Sequence, residues 1–283
     1  MSSIAKNLKY YFLGALFLGT IFVWCAVLAE TRNGLKVAFL DVGQGDAIFI
    51  EAPNGNQILV DGGPNKAVLR GLSKQMPFYD RTIDAVILTH PHLDHYAGFN
   101  EVIKKYKVSL EIDSGTKNKG AGFVEFENLI KGKKIKRLYA KRGMRVNLDK
   151  NLYLDILLPA VNGENLSEHD GMLVSRLVYK NNSFLLAGDM EDNLENFLLG
   201  LGDSLKSNVL KVGHHGSKTS TSEKFLGRVN PDLAVISAGQ GNKYGHPHKE
   251  VTGRLARFEI QTLRTDEKGT IVLKSDGEKI LAR

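Results

Sequence analysis

The chain opens on one long apolar block and continues as short apolar runs separated by charged and glycine-rich turns. Residues 10–29 carry no charged side chain, with Lys6 and Lys9 ahead of them and Glu30 and Arg32 behind. A helix of that length rises about 30 Å, the thickness of a bilayer's hydrocarbon layer, so the block predicts a transmembrane helix. Further on, strand-like and helix-like spacing alternate. Strands are expected over 35–41, 46–51, 57–61, 83–89, 152–158, 172–179, 183–187, 208–212, 233–237 and 270–274. Helices are expected over 66–74, 97–106, 123–130, 190–199, 222–229 and 249–258; in the second, Phe99, Val102, Ile103 and Tyr106 share one side. No Pro/Gly/Ser-rich linker interrupts this alternation. The expected organisation is a tail (1–9), an apolar span (10–29), a linker (30–34) and one α/β domain (35–283).

A length of 283 residues, 42% of them hydrophobic, suits a globular domain with a sizeable core. The single cysteine, Cys25, lies inside the apolar block. That excludes an intramolecular disulfide, a cysteine-rich zinc knuckle and a thiol nucleophile. Val27-Leu28-Ala29 would suit signal-peptidase cleavage, but the apolar run is longer than a usual signal core, which favours an uncleaved anchor. Lys6 and Lys9 keep the short tail inside by the positive-inside rule. The expectation is a single-pass cell-membrane protein whose domain faces outward, with secretion after cleavage as the alternative.

The densest chemistry is Thr89-His90-Pro91-His92-Leu93-Asp94-His95, between a strand and a helix. Three imidazoles and a carboxylate in so short a loop are costly to desolvate and poor at packing, yet they are the nitrogen and oxygen ligands a divalent metal prefers. Other candidates recur at strand ends: Asp61 after 58–60, Asp189 after 184–186, and His214 and His215 after 209–212. His246 and His248 follow the 233–237 strand through a glycine-rich loop. Ligands at the carboxyl ends of strands are where α/β sheets hold their chemistry. The formal net charge of +7 leans toward an anionic substrate. The run Lys131, Lys133, Lys134, Lys136, Arg137, Lys141, Arg142 and Arg145 suits a phosphate backbone, and equally an anionic lipid or wall polymer.

Several stretches together carry a resemblance: Phe39-Leu40-Asp41-Val42-Gly43-Gln44-Gly45-Asp46-Ala47, Val60-Asp61-Gly62-Gly63, the His-x-His-x-Asp-His run 90–95, Leu186-Ala187-Gly188-Asp189-Met190-Glu191, residues 210–220 and Tyr244-Gly245-His246-Pro247-His248. They resemble the metallo-β-lactamase superfamily, and within it the ComEC-type hydrolase domain attached to the competence DNA-uptake channel. The resemblance implies an αββα sandwich with its site at one rim, here preceded by one transmembrane helix. It implies two divalent ions, zinc or manganese. His90 and His92 would hold one, Asp94 and His95 the other, and Asp189 would bridge them. His215 or His214 would complete the set, and His246 or His248 would be a ligand or a proton donor. His169 is the residue nearest the expected third histidine ligand.

Asp94, His214, His246 and His248 are thus expected to act in catalysis, Lys211, Ser217 and Lys218 to meet substrate, and Asp41, Asp46 and Asp61 to support the site. ComEC proteins carry a many-helix channel, whereas this sequence has one apolar span and is not expected to conduct DNA. ComEC-type domains often have Asp at the position of His92, and a histidine there favours metal occupancy. The implied function is a membrane-anchored, metal-dependent phosphodiesterase or nuclease acting on DNA or another phosphodiester through a metal-activated water. The alternatives are a non-catalytic membrane-tethered DNA-binding or competence-accessory module, and a phosphocholine or teichoic-type esterase or carbon-ester or lactone hydrolase.

Overall fold

The computed structural model describes residues 3–28 and 34–282, with side chains from 7 to 25 and from 34 onward; Ala29 and residues 30–33 of the expected linker lie outside the described residues. The chain forms two compact units, the second beginning at Gly34. In the first, α1 (Ser3–Leu28) exposes every described side chain, and its stretch Asn7–Cys25 is long and apolar enough to cross a membrane. The described side chains of this helix bury none of its apolar surface, as in a candidate membrane span or a signal sequence.

The second unit runs in chain order through β1 (Leu35–Phe39), β2 (Ile48–Glu51), β3 (Gln57–Val60), α2 (Ala67–Gln75), β4 (Thr82–Ile87), α3 (Leu93–Lys105), β5 (Lys107–Asp113), α4 (Ala121–Gly132) and β6 (Lys136–Tyr139). It continues with β7 (Arg145–Asp149), β8 (Leu152–Leu158), β9 (Val174–Tyr179), β10 (Asn182–Leu186), α5 (Asp192–Gly200), β11 (Val209–Lys211), α6 (Glu223–Val229) and β12 (Leu233–Ile236). Last come α7 (Lys249–Arg257), β13 (Gln261–Arg264), α8 (Thr265–Lys268), β14 (Ile271–Ser275) and β15 (Ile280–Ala282). An eight-stranded sheet has the order β15-β14-β1-β2-β3-β4-β5-β6, and a seven-stranded sheet the order β13-β12-β11-β10-β9-β8-β7.

Alternation along the strands builds the layers. Phe39, Val60 and Ile87 of one sheet meet Leu154, Phe184 and Leu186 of the other between the sheets. Their neighbours Phe49, Leu59 and Val86 point outward onto Leu72, Phe99 and Phe126 of α2, α3 and α4. On the far side Leu185, Leu210 and Ala234 pack on Leu198, Phe225 and Leu255 of α5, α6 and α7. The result is the expected αββα sandwich. Central strands buried on both faces read as unbroken apolar runs, which is why β3, β4 and β10 are legible in the sequence.

Strands β5, β6, β7, β13 and β15 were not expected. β6, β7, β13 and β15 end their sheets; Lys136 and Arg137 of β6, Arg145 and Asp149 of β7 and Arg264 of β13 put charge on three of these edges, which discourages further pairing. The basic run 131–145, expected to suit a phosphate backbone, lies here, with Lys131, Lys133, Lys134, Lys136 and Lys141 exposed. It straddles two sheet edges, and its three arginines are occupied: Arg137 by Glu127 and Glu111, Arg142 by Asp203 and Arg145 by Asp155. Helix α3 begins at Leu93 rather than near 97, because Asp94 and His95 occupy its first turn, where the helix dipole favours a carboxylate.

Candidate metal centre

The parallel strands β3 and β4 of one sheet and β10 and β11 of the other end at the same rim. Asp61 follows β3, residues 88–95 follow β4, Asp189 follows β10, and His214 and His215 follow β11. Asp46 enters from the loop ahead of β2. Asp61, His214 and His215 have φ of 57°, 45° and 55°, a left-handed conformation that disfavours side-chain-bearing residues and collects at functional sites. Gly45 has φ 141°, and a Cβ there would collide with the Asp94 carbonyl, so only glycine lets the two loops close on each other.

Two sets of potential ligand atoms emerge. Those of Asp94, His95, Asp189 and His215 lie within 4.8 Å of one another, and so do those of His90, His92 and Asp189. Asp189 belongs to both. His95 Nε2 is 3.2 Å from Asp189 Oδ2, His215 Nε2 is 3.4 Å from Asp189 Oδ1, and His90 Nε2 is 3.8 Å from Asp189 Oδ2. His215 Nε2 lies 3.3 Å from Asp94 Oδ2, and His90 Nε2 lies 2.9 Å from His92 Nδ1.

The other ring nitrogens are anchored. His95 Nδ1 is 2.8 Å from Asp61 Oδ2, whose carboxylate also accepts the Thr89 amide and hydroxyl. His215 Nδ1 donates to Ser237 O at 2.9 Å, and His214 Nδ1 pairs with Glu191 Oε1 at 2.9 Å. Such outer partners fix the tautomer and leave Nε2 as the ligating atom.

The fit to a metal rests on what is left without a partner. His95 Nε2, His215 Nε2 and Asp189 Oδ1 are buried with no hydrogen-bond partner among the described residues, and all three converge. Orphaned buried polar atoms cost about 1–3 kcal/mol each unless something binds them. A divalent ion would satisfy the three together, with Asp94 at the open side. Electrostatics agree. Burial pushes Asp189 up, yet the His215 and His95 imidazoles outweigh it and hold the carboxyl well below its usual range. Burial lowers His215, but Asp189 and Asp46 bring it to about 9; against its own burial, His95 is held well above its ordinary value by Asp189 and Asp61. Burial, then His95, pushes His90 well below its ordinary value. Without metal, protons stand in for cationic charge on the Asp94 side.

The remaining expected residues divide. Asp46, Asp61 and His95 form a third cluster, but its cation is already present: the fully buried Lys211 ammonium contacts Asp46 and donates to Gly188 O at 2.8 Å. Lys211 is therefore corrected from substrate contact to internal counter-charge. Ser217 is also buried, its hydroxyl 2.9 Å from that of Thr219, so of the three expected substrate contacts only Lys218 is exposed. Asp41 accepts the Gly43 amide at 3.3 Å and shapes the loop before Asp46. The exposed His169 ring sits 4.8 Å from that of His92 and 6.4 Å from that of His90, beside the first set. His246 reaches Gln44 at 3.4 Å and is pushed down to about 4 by burial, His215 and His214. His248 flanks α7, its ring 4.9 Å from that of His246, and belongs to neither set.

Sequence reasoning missed Glu168, which meets His92 Nε2 at 2.8 Å, and the supporting roles of Glu191 and Thr89. Glu191 stood inside a matching stretch, so its place two residues after Asp189 was the available signal. A cleft of about 250 Å³ opens beside Asp189, lined in part by His169, Asp170, Glu191 and Asn193.

The chain is 32% identical to ComE operon protein 3 of Bacillus subtilis over 83% of its own length and 32% of that protein's. It is 34% identical to Recombination protein 2 of Haemophilus influenzae (83% and 28%) and 31% identical to Competence protein ComA of Neisseria gonorrhoeae (86% and 33%). The chain thus spans about a third of the length of the curated relatives it matches. Among solved structures, CmlA, a diiron beta-hydroxylase from Streptomyces venezuelae, superposes with a TM-score of 0.53 at 12% identity, covering 86% of this chain and 54% of that one. Zn(2+)-bound PqqB from Methylobacterium extorquens superposes with a TM-score of 0.52 at 9% identity, covering 85% and 100%. These two share the fold. Residues 40–240 match the metallo-beta-lactamase superfamily, and with the competence relatives that match places the chain in this superfamily, in its ComEC-type branch.

Proposed function

We propose that the chain is a metal-dependent hydrolase that cuts a phosphodiester, DNA foremost, at a two-ion centre. The observation that carries this is the convergence of the unpartnered His95 Nε2, His215 Nε2 and Asp189 Oδ1 beside the His90 and His92 pair. Zinc or manganese ions bound there would supply an activated water and offset charge on a phosphoryl group. The protein's own contributions are separable. Asp61 and Ser237 O orient His95 and His215, and Asp189 reaches both sets. Burial raises Asp94, but His215, whose Nε2 lies 3.3 Å away, and His95 bring it down to about 2, so it stays ionised across the working range. His214, part-exposed and braced by Glu191, stands 3.8 Å from Asp189 and is the group placed to hand a proton to a leaving oxygen.

Support for a nucleic-acid substrate comes from the net charge of +7 and from relatives named for competence and recombination. A second reading, a phosphocholine-type ester, is favoured by one observation: Asp170 and Glu191 line the cleft and would suit a cationic choline head better than a second phosphate. In either case the chain is read as held to the cell membrane by residues 10–29, with the hydrolase unit outside.

The test measures metal content together with turnover. Purified full chain should hold about two ions and cleave single-stranded DNA and bis-p-nitrophenyl phosphate with manganese or zinc, and Asp189→Asn should lower turnover at least ~100-fold. Preferential cleavage of p-nitrophenyl phosphocholine would select the second reading. Metal-free protein without turnover would leave a non-catalytic docking module.

A further inference from the structure

The folded unit has two poles. β1 runs from Leu35, where the chain enters the unit, toward the rim that carries the metal centre. β1 and β3 both pair antiparallel with β2, and β3, β4 and β5 are mutually parallel, so all four strands begin at the pole opposite that rim. The loop between α2 and β4 is pinned to this pole by three bonds. Lys36 Nζ donates to Gln75 O at 2.7 Å, Gln57 Nε2 to Asp80 Oδ2 at 2.9 Å, and the Lys107 amide to Arg81 O at 2.8 Å.

At the tip of this loop Phe78 is 86% exposed, more than any other large hydrophobic residue described in the folded unit. Tyr79 is half exposed and meets it edge-to-face, with ring centroids 5.4 Å apart. Around them Lys74, Arg81, Lys105 and Lys107 are all exposed. The acidic residues nearby are engaged: Asp80 with Gln57 and the Thr82 amide, Asp84 with the Gln57 amide. An aromatic tip in a basic collar is the side-chain chemistry found at a membrane–water interface, where rings sit at headgroup depth and Lys and Arg meet anionic lipid.

We infer that residues 77–80 and this basic collar dock on the surface of the bilayer that residues 10–29 occupy, through anionic phospholipid headgroups. Two observations favour lipid as the occupant. The chain enters the folded unit at this same pole only a few residues after the apolar span, and the collar is positive. The consequence is orientation: the metal cleft faces away from the bilayer, toward substrate arriving from solution. The inference rests on reading residues 10–29 as a membrane span, and the test separates the two.

Full chain carrying Trp24→Phe, so that one tryptophan can be introduced at will, is reconstituted into phosphatidylcholine vesicles containing phosphatidylglycerol. Phe78→Trp reports on the loop, and Val161→Trp, exposed near the metal rim, on the opposite pole. Emission from Phe78→Trp should shift to the blue and be quenched by brominated lipid several-fold more than emission from Val161→Trp. Adding Lys74→Glu and Lys107→Glu should reduce that quenching at least twofold. Protein that floats with the vesicles while Phe78→Trp emits as in water overturns the docking and leaves the span intact. Equal quenching at both positions also overturns it, as does quenching indifferent to the charge reversals. Protein that does not float overturns the span and the docking together.

Discussion

His95 and His215 keep their protons in the metal-free chain because Asp46, Asp61, Asp94 and Asp189 crowd them, and this makes the site pH-sensitive in a definite direction. His215 titrates at about 9 in the fold against about 6.5 unfolded, so its contribution is fully present below pH 6.5 and is lost as pH rises through about 9. That contribution is on the order of 3 kcal/mol. A metal ion competes for the same Nε2 and does the opposite, binding more tightly as pH rises. Thermal melts from pH 6 to 9.5 should therefore show the chelated protein weakening while the metal-loaded protein holds or gains. Calorimetry in buffers of different ionisation heat should show proton release on metal binding at pH 7. A chelated protein with a flat profile across that window would remove the basis for protonated His215. The His-x-His-x-Asp-His run was legible because such residues have no packing use in so short a loop. The choice between His214 and His215 was not. It depends on Ser237 O and Glu191, which lie 22 and 23 residues away in sequence and become neighbours only in the fold. Lys211 misled for a related reason: a lysine at the end of an apolar strand reads as reaching outward, and only the buried Asp46 carboxylate explains its inward position.

At the level of elements, the central strands and the amphipathic helices follow the sequence within a few residues, and the polar edges do not. β5 buries Glu111 and Asp113 against Arg137 of β6, which also forks onto Glu127 of α4. Burial and Asp113 push Glu111 up to about 9 despite Arg137. This cluster ties an edge strand to a helix. Arg137→Met should leave the buried carboxyls of Glu111 and Asp113 short of their shared donor and cost about 1–3 kcal/mol. Urea unfolding at neutral pH is the measurement, and a midpoint equal to wild type would show the cluster to be dispensable. No local periodicity announces β6 or β7. With so few inward residues each, they are strands only because β5 and β8 offer them partners.

For the whole molecule, the sandwich works by bringing the ends of two separately built sheets to one rim. Since several buried polar atoms there are complete only with a ligand, metal should act as a structural element. Saturating ions at about a thousand times their dissociation constant stabilise by about 4 kcal/mol, or about 10 °C in Tm for a unit of this size. A chelator should lower Tm by that order, with manganese or zinc restoring it; a Tm unmoved by either would argue that the rim is closed to metal. The sequence by itself determined the residue types of the site, the apolar block, the strand and helix alternation and hence the αββα class, because side-chain chemistry and periodicity are local properties. The tertiary structure alone decided which nitrogens face inward, that Lys211 is a buried counter-charge, that the basic run lies on sheet edges, and that Phe78 stands at the pole away from the metal centre. Each of these depends on contacts between residues far apart in the chain, and no local pattern encodes which distant partner a side chain will meet.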